Sequence, residues 1–293
     1  MNEVEELLGK ENQNKSSKSN YDKEKWKETQ NKKRKQANEI ADTMSLRITT
    51  DGNLFKNYLD IQSRFSKYSV SNCLIVLKNN KNATQIKDKK SWEEKGYQVF
   101  EKEIEKPITI LEPVKSKGGV TFYNPKDEYD ISQTDAPIPE EKIYTTRELL
   151  RAILQTCKIE KQVVDMLDNG KLGVEYKKEE NKLYMCRGML PSKLLQGIMQ
   201  QLANIQMQEI TNSEMKEFKT YCVSYMLCKK YGIDILKFDF NELPDDIKSL
   251  SDGKTIRQEL DSIKKVFESI NNDISSYFID IEKENKNKNQ ERG

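Results

Sequence analysis

The stretch Leu194-Leu-Gln-Gly-Ile-Met-Gln-Gln-Leu-Ala-Asn-Ile205 has the repeat of an amphipathic helix and sets the fold of the second half of the chain. Its large apolar residues recur at spacings of three and four, which places them on one face of a helix. Those residues are Leu194, Leu195, Ile198, Leu202 and Ile205. A second, polar stripe consists of Gln196, Gln200, Asn204 and Gln208. The pattern predicts a core-packing helix whose amides either face solvent or line a site.

Helical periodicity extends to both sides of this stretch. It predicts helices over Thr146–Cys157, Lys161–Leu167, Ser192–Ile210, Glu214–Tyr231 and Thr255–Glu282. A hairpin over Leu172–Tyr184, turning at Lys178-Glu-Glu-Asn181, interrupts the helices. The two prolines and the acids of Asp135–Glu141 favour a linker before this mainly helical half.

The first half mixes helical and extended patterns. Leu54–Phe65 carries a wide apolar stripe, and Ser69 to Asn72 can cap a short helix over Cys73–Lys78. Short extended segments follow at Tyr97–Phe100, Pro107–Val114, Val120–Tyr123 and Tyr129–Gln133. We therefore expect an α+β protein: a small mixed α/β domain, then a mainly helical domain with a short β-hairpin.

Composition excludes several classes of chemistry. The 293 residues include no histidine, so a serine or cysteine nucleophile has no imidazole base and a zinc peptidase has no histidine ligands. The five cysteines are scattered and never form a Cys-x-x-Cys pair, which argues against a disulfide framework and a thiolate zinc site. We expect reduced thiols, no cofactor, no metal and a cytoplasmic protein without a membrane span.

Local charge is more informative than the net charge of +2. Between Arg64 and Lys90 there are seven basic residues and one acid, seven minus one giving +6. Aromatic and small polar residues are interleaved with them, a mixture that single-strand binders use to follow phosphates and stack on bases. The candidate DNA-binding residues are Arg64, Lys67, Tyr68, Ser69, Asn72, Lys78, Lys81, Lys87, Lys89, Lys90, Trp92 and Lys95.

The same region resembles a known family. The segments Phe65–Ile75, Ser91-Trp92, Pro107–Val114 and Tyr129–Asp135 are similar, in order, to the N-terminal single-stranded-DNA-binding domain of ArdC-type antirestriction proteins. The resemblance implies binding of single-stranded DNA without strong sequence preference, in a protein that acts with mobile DNA and conjugation.

The second half of that family is a metallopeptidase-like domain, whose zinc helix resembles Leu194–Ile205. In this register Gln200 and Asn204 replace the two histidines, Gln201 replaces the general-base glutamate, and Tyr221 replaces the glutamate ligand on the next helix. Neutral amides are poor zinc ligands and glutamine cannot take a proton from water, so hydrolysis through this site should fail. Without the register, the simpler interpretation is a solvated amide stripe.

These observations predict a non-catalytic single-stranded-DNA-binding protein with a degenerate peptidase domain, in which a protein partner could use the relic cleft. The expected organisation is a polar, partly disordered or helical arm (1–45), a DNA-binding-like domain (46–135), a linker (136–144), the helical domain (145–283) and a charged tail (284–293). One alternative is a protein-interaction scaffold or regulator of DNA transfer that does not bind DNA. Another is an enzyme with an unconventional metal.

Overall fold

The computed structural model describes residues 3–116, 118–140, 142–210 and 215–290. The helices, in chain order, are α1 (Glu3–Ile48), α2 (Gly52–Arg64), α3 (Val70–Asn79), α4 (Lys89–Glu93), α5 (Thr146–Thr156), α6 (Pro191–Ile210), α7 (Lys216–Lys230), α8 (Asp245–Lys248) and α9 (Gly253–Gln290). The strands are β1 (Ile86–Lys87), β2 (Ile108–Lys115), β3 (Thr121–Asp130), β4 (Glu160–Val164), β5 (Val174–Lys177) and β6 (Lys182–Cys186).

Two compact units share the chain, and they interleave in sequence. The smaller unit contains Met1–Ala41 and Gln85–Ala136, and the larger unit contains Asp42–Thr84 and Pro137–Gly293. The segment that carries α2 and α3 therefore belongs to the larger unit, whereas the segment that carries β1 to β3 belongs to the smaller one.

The smaller unit is organised around an antiparallel sheet with the strand order β1-β3-β2. Strands β2 and β3 pair along their whole shared length, from Ile108 opposite Glu128 to Lys115 opposite Thr121. A small core of Trp92, Val99, Tyr129 and Ile131 lies at the end of this sheet near β1. The outer part of the β2–β3 pair is exposed, so it forms a two-stranded arm.

The larger unit is mainly helical. Helix α2 packs on α7, and α3, α5, α6 and α7 all pack on α9. The contact between α2 and the loop before α8 is close: a Cβ added to Gly52 would lie 1.7 Å from the carbonyl oxygen of Phe240. Because that oxygen is part of the backbone, no side-chain rotation relieves the clash, and glycine is required for this approach.

A second sheet completes the larger unit, and it corrects one predicted element. Strand β6 pairs antiparallel with β5 and parallel with β4. The predicted hairpin is thus present, but the predicted helix over Lys161–Leu167 is wrong, because residues 160–164 form β4. The β-branched Val163 and Val164 suit a strand, and pairing with a distant partner outweighs the local helical spacing.

Most other predicted elements are confirmed, and the α+β fold class is confirmed with them. The extended segment predicted at Tyr97–Phe100 is reduced to one bridge between Val99 and Thr134. Tyr129–Gln133 is divided between the end of β3 and a 3-10 turn. Residue 214, the predicted start of α7, and residues 291–293 of the predicted tail lie outside the described residues.

Within the described ranges, none of the helices has the length and apolarity needed to cross a lipid bilayer.

Candidate functional site

The predicted DNA-binding residues are distributed over both units. The larger unit holds Arg64, Lys67, Tyr68, Ser69, Asn72, Lys78 and Lys81, and the smaller unit holds Lys87, Lys89, Lys90, Trp92 and Lys95. A run of charge that is continuous in the sequence therefore divides between two separately packed bodies.

Arg64 is engaged in holding the loop after α3. Its guanidinium donates hydrogen bonds to the carbonyl oxygens of Ala83 at 2.6 Å and Lys81 at 2.8 Å, and its Nε donates to Asp60 O at 3.1 Å. Three bonds to backbone acceptors fix the side chain, so the structure gives Arg64 a positioning role in this loop. The loop carries Lys81, which is exposed, and Lys78 at the end of α3 is also exposed.

The start of α3 is shaped by local polar contacts. The Ser69 hydroxyl accepts a hydrogen bond from Asn72 N and caps the helix, as its sequence predicts. Asn72 itself is 5% exposed, so its side chain belongs to the interior. The Tyr68 ring is half-buried and packs against Phe65, with 5.3 Å between ring centroids. Lys67 pairs with Glu268 at 3.2 Å but keeps 71% of its side-chain surface exposed.

Trp92 lies in the core of the smaller unit and not at its surface. It is 1% exposed, and its indole N–H donates a hydrogen bond to Tyr129 O at 3.0 Å. Both requirements of a buried tryptophan, an apolar pocket and a partner for its N–H, are therefore met internally. No ring face is left for a base, which corrects the predicted stacking role of Trp92.

The lysines around Trp92 sit on the outside of α4 and β1. Lys89 pairs with Glu93 at 3.8 Å and Lys90 with Glu94 at 3.6 Å, both as exposed i,i+4 pairs that stabilise little. Lys87 is half-buried, with its ammonium 5.4 Å from the centre of the Trp92 ring. Lys95 is exposed after the helix.

A cavity of about 370 Å³ beside these lysines is balanced in charge. Lys126, which lines it, approaches Asp88 at 3.0 Å, Glu128 at 3.4 Å and Glu112 at 3.5 Å. Burial alone would lower the pKa of Lys126, but the hydrogen bond to Asp88 and the charges of Glu128 and Glu112 raise it to about 12. The lysine charge is neutralised by these acids, so this cavity does not favour a phosphate.

The β2–β3 arm exposes rings that the sequence analysis did not single out. Phe122 is 55% exposed and Tyr123 51% exposed, and they are neighbours on β3, so they point to opposite faces of the arm. Val114 lies directly across from Phe122 and is also exposed. The alternation of Val120 to Tyr123 indicated a strand, but nothing in it showed that both faces would be exposed.

Helix α1 brings cations to the same arm. Arg34 Nε donates a hydrogen bond to Tyr123 O at 2.8 Å, and Lys33 forms an ion pair with Asp127. Lys32 and Lys35 of the same basic cluster are exposed. The basic cluster of α1, Lys32-Lys33-Arg34-Lys35, thus adjoins the exposed rings of the arm.

The four positions predicted to form a degenerate peptidase site have different surroundings. Gln200 is exposed and Asn204 is half-buried on α6. Gln201 turns to the sheet: its Nε2 donates to Val174 O at 3.1 Å, and its Oε1 accepts from Tyr176 N at 3.3 Å. A single amide thus satisfies both backbone groups at the edge of β5, which glutamine can do because it carries a donor and an acceptor.

Tyr221 is held by the loop that follows α7. Its hydroxyl accepts a hydrogen bond from Asp239 N at 2.6 Å, and its ring contacts Phe238 and Phe240 at centroid distances of 4.9 and 5.3 Å. Burial is the main cause that raises the pKa of Tyr221, so its phenol stays protonated at neutral pH. Gln201 and Tyr221 therefore have structural partners on different elements.

The thiols of the described residues are buried and unpaired, and burial shifts several of their pKa values. Cys73, Cys157, Cys186, Cys222 and Cys228 are all buried and unpaired as disulfides. Burial raises the pKa of Cys228 to about 12 and shifts those of Cys73 and Cys222 upward as well, which disfavours thiolates. In the part of the chain that the structure describes, no group of three or more Cys, Asp or Glu residues is placed to hold a metal ion.

Two solved structures similar to this chain are of an antirestriction protein. They are crystal structures of ArdC from the R388 plasmid, one Mn(II)-bound and one metal-free. The Mn(II)-bound structure matches with a TM-score of 0.47 and 13% identity, over 71% of this chain and 85% of that chain. The metal-free structure matches with a TM-score of 0.45 and 13% identity, over 71% of this chain and 86% of that chain. No family model and no curated protein matches the sequence.

Proposed function

We propose that this protein binds single-stranded DNA without catalysing a reaction on it, in an antirestriction-like role on a mobile element. The interface is the β2–β3 arm of the smaller unit together with the basic cluster Lys32 to Lys35 of α1. The antirestriction part of the proposal comes from the sequence resemblance. The binding part is supported by the surface of the arm.

The observation that carries the proposal is the exposure of Phe122 and Tyr123 beside these cations. Together with the exposed Val114 and Val120, these rings make an apolar surface of the kind that a binding partner covers. Unpaired bases offer that partner, because every base has a flat apolar face that stacks on an aromatic ring. The arm presents one ring on each face, so a strand that wraps it can stack a base on either side.

Cations complete the interface from two elements. Lys32 and Lys35 are exposed on α1, and Arg34 is anchored at the backbone of Tyr123. Lys89, Lys90 and Lys95 of the predicted set are exposed in the same unit. Lys89 and Lys90 pair with the exposed Glu93 and Glu94, and such weak pairs can exchange for phosphates at little cost.

The larger unit is proposed as a scaffold and not as a peptidase. Two of the four positions that carry the ligands and base in the family, Gln201 and Tyr221, hold the edge of β5 and the loop at 237–239. Neither an amide nor a protonated phenol activates water at neutral pH. The side chains at this place therefore maintain the packing of the fold.

A protein-interaction role is the competing proposal, and one observation favours it. Val114, Val120 and Phe122 form an apolar patch on the arm, each at least 40% exposed. An apolar patch is also what a protein partner would cover. The two functions differ in how strongly the binding affinity depends on the salt concentration and on the rings of Phe122 and Tyr123.

The test measures the binding of a labelled oligo-thymidine strand by fluorescence anisotropy at rising salt. We expect Phe122→Ala and Tyr123→Ala each to weaken binding by about 1–3 kcal/mol, the usual contribution of one stacked base. Val163→Ala, at a 56% exposed apolar site on β4 of the larger unit, is the matched control and should leave binding unchanged. Affinity should also fall steeply with salt.

The second comparison uses duplex DNA of the same length. It should bind more weakly than the single strand, because its bases are already stacked. Binding that is insensitive to both ring substitutions, or that does not change with salt, overturns the proposed interface. The absence of any strand binding by the intact chain would favour the protein-interaction role.

A further inference from the structure

A second cationic surface lies in the larger unit, and of the predicted DNA-binding residues it contains only Ser69. An open cavity of about 430 Å³ is bounded by the start of α3 and by one face of α9. Its polar lining includes Ser69, Ser71, Lys254, Arg257, Asp261 and Lys265. About 185 residues of sequence separate the two sides. The local charge pattern of either segment therefore does not predict that they lie together.

The cations of this surface share one face of α9. Lys254, Arg257, Asp261 and Lys265 are spaced by three or four residues, which aligns them along the helix. Lys254 and Lys265 are exposed and Arg257 is half-buried. The hydroxyls of Ser69 and Ser71 line the opposite side and can donate or accept hydrogen bonds.

The existing partners leave these cations available. Lys265 pairs with Asp261 at 2.8 Å, but both side chains are largely exposed, at 63% and 41%, so the pair is weak and exchangeable. Arg257 donates from Nη1 to Asp42 at 2.6 Å and to Ser45 at 3.2 Å. These bonds fix the guanidinium while its other N–H groups, on Nη2 and Nε, can still reach a ligand.

Charge decides the class of ligand. The three cations face two acids, Asp261 and Asp42, which leaves a net charge of about +1 at the surface. That charge matches a singly charged phosphodiester better than a phosphate dianion or a polyphosphate, which would be repelled by the two carboxylates. The open shape also leaves room for a group within a continuing chain.

We propose that this surface is a phosphodiester-binding site that holds the backbone of the same single strand at a second place. The extension to the strand rests on the proposed function, whereas the phosphodiester site itself is tested independently. Lys254 and Lys265 supply the charge, Arg257 is fixed by Asp42 and Ser45, and the serine hydroxyls complete the hydrogen bonds.

The first experiment uses the full chain and an oligo-thymidine strand. For Lys254→Gln the slope of log affinity against log salt should fall in magnitude by about 0.7, the value for one phosphate contact on a single strand. Lys248→Gln, an exposed lysine of α8 in the same unit, is the matched control and should keep the wild-type slope. A Lys254→Gln slope equal to that of the control overturns the second contact with the strand.

The second experiment follows the backbone amides of Ser69 and Ser71 by NMR at constant ionic strength, with dimethyl phosphate and inorganic phosphate as separate probes. Shifts with dimethyl phosphate that are lost in Lys254→Gln support the site, even if the intact chain fails to bind the oligonucleotide and the proposed function falls. Shifts with inorganic phosphate alone overturn the phosphodiester assignment. No shift with either probe overturns the site.

Discussion

At the scale of single residues, Trp92 is the largest side chain in the core of the smaller unit. A tryptophan beside lysines fits a stacking platform, but it fits a small core equally well, and the core of the smaller unit has few large side chains to choose from. The hydrogen bond from its indole to Tyr129 O is a tertiary contact over 37 residues, so the sequence did not reveal it.

The placement of Trp92 predicts a difference between the two tryptophans of the chain. In Trp26→Phe the remaining Trp92, at 1% exposure, should emit at short wavelength and resist quenching by iodide. In Trp92→Phe the remaining Trp26, at 63% exposure, should emit at long wavelength and be quenched readily. Quenching of Trp92 by iodide as strong as that of Trp26, or by added single-stranded DNA, would contradict its core position.

Asp88 predicts a small dependence of stability on pH. Burial alone would raise the pKa of Asp88, but hydrogen bonds from Ser91 and Lys126 outweigh it and lower the pKa below its usual 3.8. A lowered pKa in the folded state stabilises the fold at pH values above 3.8, and this contribution is lost as the pH falls through the folded-state value. Asp88→Asn keeps a side chain that can cap α4 while removing the charge.

Urea unfolding at pH 7 and pH 3 measures this effect. Asp88→Asn should be less stable than wild type by up to about 1 kcal/mol at pH 7, a limit set by the partly exposed pair with Lys126, and this deficit should be smaller at pH 3. Glu94→Gln, which removes an exposed ion pair with Lys90, should differ little from wild type at both values. An equal deficit of Asp88→Asn at both pH values would assign the effect to capping and not to charge.

At the scale of elements, the neighbours Gln200 and Gln201 have separate roles on one helix. Gln201→Leu should lower the free energy of unfolding by about 1–3 kcal/mol, because the polar groups of Val174 and Tyr176 lose their partner. Gln200→Leu, at an exposed position, is the matched control and should change stability by less than about 0.5 kcal/mol. Chemical denaturation measures the stability of both variants. Equal effects would show that the hydrogen bonds of Gln201 to β5 do not stabilise the fold.

The elements also show what sequence patterns can and cannot predict. Amphipathic periodicity located α2, α5, α6 and α9, since each buries one face along its own length. It failed at β4, whose apolar residues have helical spacing but whose backbone pairs in parallel with β6. The rings of the β2–β3 arm and the cations of α9, which carry the two proposals, were likewise not among the predicted DNA-binding residues, because exposure and proximity arise only from tertiary packing.

At the scale of the whole molecule, the two units carry different natural probes. Trp26 and Trp92 both lie in the smaller unit, and all five cysteines lie in the larger one. Because each unit has a core of its own, we expect urea unfolding followed by tryptophan fluorescence and by the trapping of exposed thiols to give different midpoints. Coincident midpoints, with a single step in far-ultraviolet circular dichroism, would show that the units unfold as one.

The interleaving of the two units has a consequence for synthesis on the ribosome. The smaller unit has all of its residues once translation passes residue 136, but α2 and α3 lie between its two segments and need α7 and α9, which are made later. The apolar faces of α2 and α3 therefore stay exposed to solvent while the segment 85–136 folds, until α7 and α9 are made. We therefore expect a chaperone to bind the nascent chain chiefly at this stage, when the apolar faces of α2 and α3 are exposed.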